Sequence, residues 1–234
     1  MGERAKWRGR EVSRVEGFSD AVFAFALTLL VVSLEVPRSF AELVETMEGF
    51  LAFAVCFAFI VWVWYEHYLF FRRFGLEDSV TITFNALLLF VVLFYVYPLK
   101  FLFTGLVRLW TGLGPERAGV ETFTDGRRLL VVYGIGFVAV FGGLALLYVH
   151  AWRRRAAEGF DALESFDARA GAIRHSATVA VGLVAIVLAL TLPGRKVGLA
   201  GMFYAMLGPV HGVLGYRLGS HRSRIAAERP GLKS

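Results

Sequence analysis

A chain of 234 residues in which 57% are hydrophobic and 19% charged is too apolar for a soluble globular domain, where apolar residues make up about 45–50%. The apolar residues run in long unbroken stretches rather than in alternation, which excludes a membrane β-barrel and leaves a bundle of helices. The net charge of +6 comes from basic residues clustered between those stretches, where they set membrane orientation, and no nucleic-acid partner is expected.

Residues 1–12 carry Arg4, Lys6, Arg8 and Arg10 and read as a flexible cytosolic arm. The first helix is predicted over 13–35. Ser13 and Glu16 have the spacing of a capping box, in which hydroxyl and carboxylate satisfy each other's backbone N–H groups. After Asp20 no charge occurs until Glu35, and Pro37 closes the helix because the residue before a proline avoids helical geometry. The apolar part is about 20 residues long, enough to cross a hydrocarbon core of roughly 30 Å. No small-residue cleavage site follows it, so it reads as a span rather than a removed signal. Glu16 and Asp20 fall in its first turns. Either they are membrane-edge acids that reach the headgroups, or they are carboxylates turned towards protein or water.

Ser39 and Glu42 repeat the capping-box spacing and open a second helix, whose membrane part is predicted over 47–71. It carries Trp64 and His67 near its end, and Arg72, Arg73 and Gly75 form a short turn. Asp78 caps a third helix over 79–103, which holds Asn85 and Pro98. Residues 104–126, rich in glycine, are expected as the longest loop. A fourth helix over 127–152 ends at the cluster Arg153, Arg154 and Arg155, and residues 156–170 form a second loop, acidic in its middle. Helices over 171–192 and 197–216 are joined by the tight turn Pro193-Gly194-Arg195-Lys196. The last contains Gly208-x-x-x-Gly212, a close-approach spacing for packing within or between subunits. Residues 217–234 are expected as a basic cytosolic tail without fixed structure. Most of the 25 Lys and Arg residues fall on the arm, the second and fourth connections and the tail, which puts both termini in the cytosol. The expected fold is therefore all-α: one domain of six transmembrane helices, multi-pass in the cell (plasma) membrane and surrounded by the lipid bilayer.

There is no P-loop, no G-x-S-x-G and no paired-carboxylate signature, so no enzyme and no cofactor is expected. Cys56 stands alone in an apolar run and reads as packing. His150, His175 and His211 lack metal-ligand spacing, so they read as structural histidines and no metal site is expected.

Arg14-x-x-x-Phe18-Ser19-Asp20, followed by an apolar run with Thr28-Leu29-Leu30, resembles the R-x-x-x-F-S-D signature of the transmembrane protein 175 family, potassium channels of lysosomes and many bacteria. The resemblance covers the first three helices. Asp20 and Arg14 are then expected in a buried polar network, and the resemblance implies that Trp64 and His67, with the softer match Asn85, hold the signature from behind, with His67 donating to Asp20. Without the family, both side chains would read equally as interfacial anchors. It also implies that the first helix lines an ion path, narrowest at Phe25, Thr28, Leu29 and Val32. These residues share one helical face by spacing, although periodicity alone does not say whether that face meets lipid, protein or a pore. Relatives usually place isoleucine or leucine where this chain has Phe25, so constriction size, conductance and selectivity are the properties this departure touches. No T-V-G-Y-G-like segment is present, so selection would act at a hydrophobic narrowing that strips part of the hydration shell or gates by dewetting. With one signature and one six-helix repeat in this chain, the resemblance implies a homotetramer that conducts monovalent cations, with K+ as permeant ion. The competing reading is a secondary transporter coupled through Asp20, which inverted repeats and broken helices would favour. A third is a non-conducting assembly protein that docks through its basic tail and last helix.

Overall fold

The computed structural model describes residues 8–9, 11–32, 37–112 and 123–227. Its elements are helices: α1 (Arg14–Val32), α2 (Phe40–Glu48), α3 (Phe50–Phe74), α4 (Ser79–Thr111), α5 (Phe123–Arg154), α6 (Ala162–Thr191), α7 (Gly198–Met202) and α8 (Leu207–Ala227), with short 3-10 turns before and after α7. Among the described residues, six segments are long and apolar enough to cross a membrane. Five are the single helices α1, α3, α4, α5 and α6, and the sixth is the broken run Gly194–Ala227. The protein is a multi-pass helical membrane protein.

α5 and α6 pack along each other, α4 lies against α5 and α3, and α1 lies against α3 and α4. Aromatic residues fill the seam, with Phe70, Phe71, Phe74, Phe141 and Tyr148 all fully buried. Tyr148 fits only because α6 has Gly171 opposite it, where an added Cβ would lie 2.1 Å from the ring. Such close backbone approach is the usual role of glycine between membrane helices. Gly75 ends α3 in the left-handed region, with φ of 60°, and its N–H reaches the Phe71 carbonyl at 2.8 Å. Only glycine does this without strain, and it turns the chain directly into the Asp78 cap of α4.

Several boundaries differ from the sequence expectation. Ser39 and Glu42 do open a helix, but it is the separate α2, and the span α3 begins afresh at Phe50. α4 continues to Thr111, well into the expected loop over 104–126. Residues 113–122 of that loop lie outside the described residues, as do 33–36 at the end of the first helix, 1–7 of the arm and 228–234 of the tail.

α6 begins at Ala162, inside the expected acidic loop. Asp161 accepts from the backbone of Leu163 and Glu164, and Glu164 accepts from the Asp161 N–H, each at 2.8 Å. This capping box starts the helix about two turns early. The acids of those turns are buried against arginines. Glu164 accepts from Arg8, and Asp167 accepts a bidentate pair from Arg222 at 2.8 and 3.1 Å. Arm and tail are therefore tied down where they meet α6. The described part of the tail is helical to Ala227. The sixth span breaks into a 3-10 turn over Phe203–Met206, which ends three residues before Pro209, a residue with no N–H to give to the preceding turn. Among the described residues, no atom from elsewhere in the chain would come within 4 Å of an added Cβ at Gly208 or Gly212, so that spacing packs against none of them.

Candidate functional site

Helix α1 has two unlike faces. Glu16, Ser19, Phe23, Ala26 and Leu30 are buried, and steps of three and four residues put them in one stripe. Phe18, Phe25 and Val32 lie on the opposite stripe and are 62%, 56% and 70% exposed. Arg14, Ala21 and Thr28 are exposed with them, and Leu29 sits half-buried at the edge.

The inner stripe is held by a chain of hydrogen bonds. Ser13 Oγ accepts from the Glu16 N–H at 3.1 Å and starts the helix. His67 Nε2 lies 2.8 Å from Asn85 Oδ1, Asn85 Nδ2 donates to Ser19 Oγ at 2.8 Å, and Ser19 Oγ donates to the Val15 carbonyl at 2.7 Å. The directions are fixed by what each atom can do. The Val15 carbonyl only accepts, so Ser19 must donate there and accept from the Asn85 amide. Asn85 Oδ1 then accepts, so the proton of His67 sits on Nε2. His67 Nδ1 is buried without a hydrogen-bond partner among the described residues, in keeping with that tautomer. Phe23 and Phe71 pack on the imidazole with ring centroids 5.4 and 4.7 Å away.

Asp20 is held separately. Trp64 Nε1 donates to Asp20 Oδ1 at 2.8 Å. The structure thus brings Trp64, His67, Asn85, Ser19 and Asp20 together, with one correction: His67 serves Asn85 and, through it, Ser19, not Asp20. A neutral histidine already bonded to Asn85 of α4 has no second N–H to give. Arg14 and Phe18 stand on the other face, so Arg14 is not in a buried network with Asp20 inside this chain. On the exposed stripe Thr28 Oγ1 donates to the Ala24 carbonyl at 2.9 Å. Its proton is committed to the helix, and the oxygen presents only lone pairs outward.

Sequence reasoning missed how the arm meets this assembly. Arg8 donates to both Glu164 oxygens, at 2.8 and 3.0 Å, and to the carbonyls of Glu158 and Gly159, each at 2.9 Å. Gly9 donates to the Arg72 carbonyl at 3.3 Å, and the Arg72 guanidinium donates back to the Gly9 carbonyl. Five residues after Gly9 the chain enters α1. The arm therefore fixes the start of α1 to the ends of α3 and α6. The signal was the arginine at position 8, one of several in a basic run and not distinguishable within it.

The family model described as endosomal/lysosomal potassium channel TMEM175 matches residues 14–95, which include every residue of this assembly from Arg14 to Asn85. A protein of Marivirga tractuosa named potassium channel is 37% identical over 227 residues, covering 93% of this chain and 92% of the relative. The chain belongs to the TMEM175 family. A crystal structure of a variant of the potassium channel MtTMEM175, in complex with a nanobody–MBP fusion protein, superposes with a TM-score of 0.84 at 34% identity, covering 98% of this chain and 99% of that one. A crystal structure described as a lysosomal potassium-selective channel TMEM175 homolog from Chamaesiphon minutus gives 0.57 at 26% identity, covering 88% and 96%. Of the signature residues, Ser19 lies on the inner stripe of α1 and Asp20 at its edge, while the outer stripe is exposed within one subunit.

Proposed function

We propose that the protein is the subunit of a potassium-permeable cation channel in which four copies set α1 around a shared axis, with the outer stripe lining the ion path. The observation that carries this is the split of α1: one face is fully engaged by its own chain, while Phe18, Phe25, Thr28 and Val32 on the other have no place in the subunit core. TMEM175 membership supports reading that face as the ion path. Phe25 and Val32 form the hydrophobic narrowing, Leu29 supports it from the edge, and water leaves the path there before a cation does. A ring of Thr28 oxygens, each with its proton turned to Ala24, offers acceptors that replace part of the lost hydration. K+ holds its water less tightly than Na+ and passes more readily. The cell membrane holds the assembly with both termini cytosolic, in line with the distribution of basic residues. In the coupled-transport alternative Asp20 would load and release an ion, whereas here its carboxylate holds the indole of Trp64.

The test is reversal potential in planar bilayers under opposed K+ and Na+ gradients. Thr28→Ala is expected to lower the K+ to Na+ permeability ratio about five-fold, equivalent to roughly 1 kcal/mol, and Phe25→Ala to raise conductance. Leu27→Ala, packed against the core, is expected to change neither. Equal reversal potentials for all three variants and the parent would remove α1 from the ion path.

A further inference from the structure

Glu66 lies eight residues before the end of α3, about 12 Å into the bundle at the rise of an α-helix. It is not part of the assembly around Asp20. Its Oε2 atom sits 3.5 Å from His175 Nε2 of α6, with the two side chains 14% and 5% exposed. That is too long for a good hydrogen bond, and both atoms are buried without a hydrogen-bond partner among the described residues. Beside them lies Tyr148 of α5, its ring centroid 5.1 Å from that of His175, its hydroxyl also buried and without a partner. A buried polar atom left unpaired costs about 1–3 kcal/mol. Three such side-chain atoms, from three different helices, gather at this one seam, and that clustering calls for an explanation. An ionisable side chain inside a membrane bundle is by default a functional group.

We propose that Glu66, His175 and Tyr148 form a proton-binding site where α3, α5 and α6 meet. A proton taken from water by the His175 ring turns an imidazole facing a carboxylate into an imidazolium–carboxylate pair. The gap of 3.5 Å then closes to charge-assisted contact, usually about 2.7–2.9 Å, and α6 is drawn onto α3. Loss of that proton to water releases the seam. The other charged or titratable groups around it are Arg73 on α3, Arg174 and Asp167 on α6, and His211 on α8. Arg73 and Asp167 face each other at 3.7 Å, and Asp167 also holds Arg222. His211 is bonded to Thr178 at 2.8 Å. Among the described residues, only Glu66 stands against His175 as a carboxylate within ion-pair distance.

The site stands whether or not α1 lines the ion path, so its test reads proton binding without flux. The full-length protein in detergent is unfolded by heat between about pH 8 and about pH 5.5, the range in which histidine titrates. The unfolding midpoint is expected to move by about 2–4 °C or more across that range. Glu66→Gln and His175→Gln should each remove at least half of the movement, and the double variant should remove no more than the larger single effect, because the two residues act as one site. His211→Gln should leave most of it. Single variants that keep the full pH response, or effects that simply add, overturn the proposal. Should Glu66→Gln and His175→Gln fail to fold, Tyr148→Phe with ring-labelled histidines decides. A moved titration midpoint for one histidine supports the site, and five unmoved or undetected titrations overturn it.

Discussion

Asn85 is the residue on which the inner face of α1 depends. It takes the proton of His67 on one side and gives its own to Ser19 on the other, and all three are buried. Asn85→Ala leaves a histidine N–H and a serine oxygen without partners, each costing about 1–3 kcal/mol. Thermal unfolding in detergent should show a clearly lowered midpoint, and Ser19→Ala a smaller loss. Combining the two should cost less than their sum, because both break the same chain. Additive losses would mean that the hydrogen bonds do not act in series. Asp78, outside the spans, gives a prediction in pH. Burial works against its ionisation, but hydrogen bonds from His150, 3.0 Å away, and from the Thr81 hydroxyl and N–H outweigh it and hold the carboxyl at about 2. An unfolded aspartate titrates near about 3.9. The folded state is therefore favoured by this group above about pH 4, and that contribution is lost as pH falls through about 2. Asp78→Asn keeps a good helix cap but removes the titration. Between about pH 5 and about pH 2.5 the parent's unfolding midpoint should fall further than that of Asp78→Asn. Parallel curves would assign the acid sensitivity elsewhere.

At the scale of elements, the first two turns of α6 act as the anchor for both ends of the chain. Glu164 receives Arg8, 156 residues away in sequence, and Asp167 receives Arg222, 55 residues away. This is the reason the region was not legible in the sequence. A run holding Glu164 and Asp167 looks like a solvated acidic loop until the arginines that neutralise it are placed, and no local pattern names those partners. The signature helix was legible for the opposite reason. Its start at the Ser13 cap and the common face of Phe25, Thr28 and Val32 are set by neighbours within a few turns. What periodicity left open was which face of α1 turns inward, and the His67–Asn85–Ser19 chain decides it. The anchor carries its own prediction. Glu164→Gln weakens the grip on Arg8 while leaving an amide that still accepts from the Asp161 N–H. Protease access to the arm, probed at the arginines before α1, should rise several-fold. Arg8→Ala should do the same, and the double variant should go no further. A cleavage rate unchanged in Glu164→Gln would show that the arm is held by its backbone contacts to Arg72 alone.

At the scale of the whole molecule, the fold leaves apolar surface nearly everywhere, as a protein in lipid does, so exposure by itself does not distinguish a pore from a lipid face. Phe25 on α1 and Leu190 on α6 are equally exposed, at 56% each. The difference lies in what covers them in the assembly, and thiol chemistry can read it. The one native cysteine, Cys56, is buried, so an introduced cysteine reports alone. In four copies of the 26.0 kDa chain with α1 at the axis, Thr28→Cys faces water in the conduction path, and Leu190→Cys faces hydrocarbon. A charged, water-soluble thiol reagent cannot enter lipid. It should block K+ flux through Thr28→Cys proteoliposomes almost completely and leave flux through Leu190→Cys unchanged. Native mass measurement of the detergent-solubilised particle should give four chains. A particle of four chains in which Leu190→Cys is blocked and Thr28→Cys is not would place another helix at the axis. The inner face of α1 would then be an anchor to α3 and α4 and nothing more.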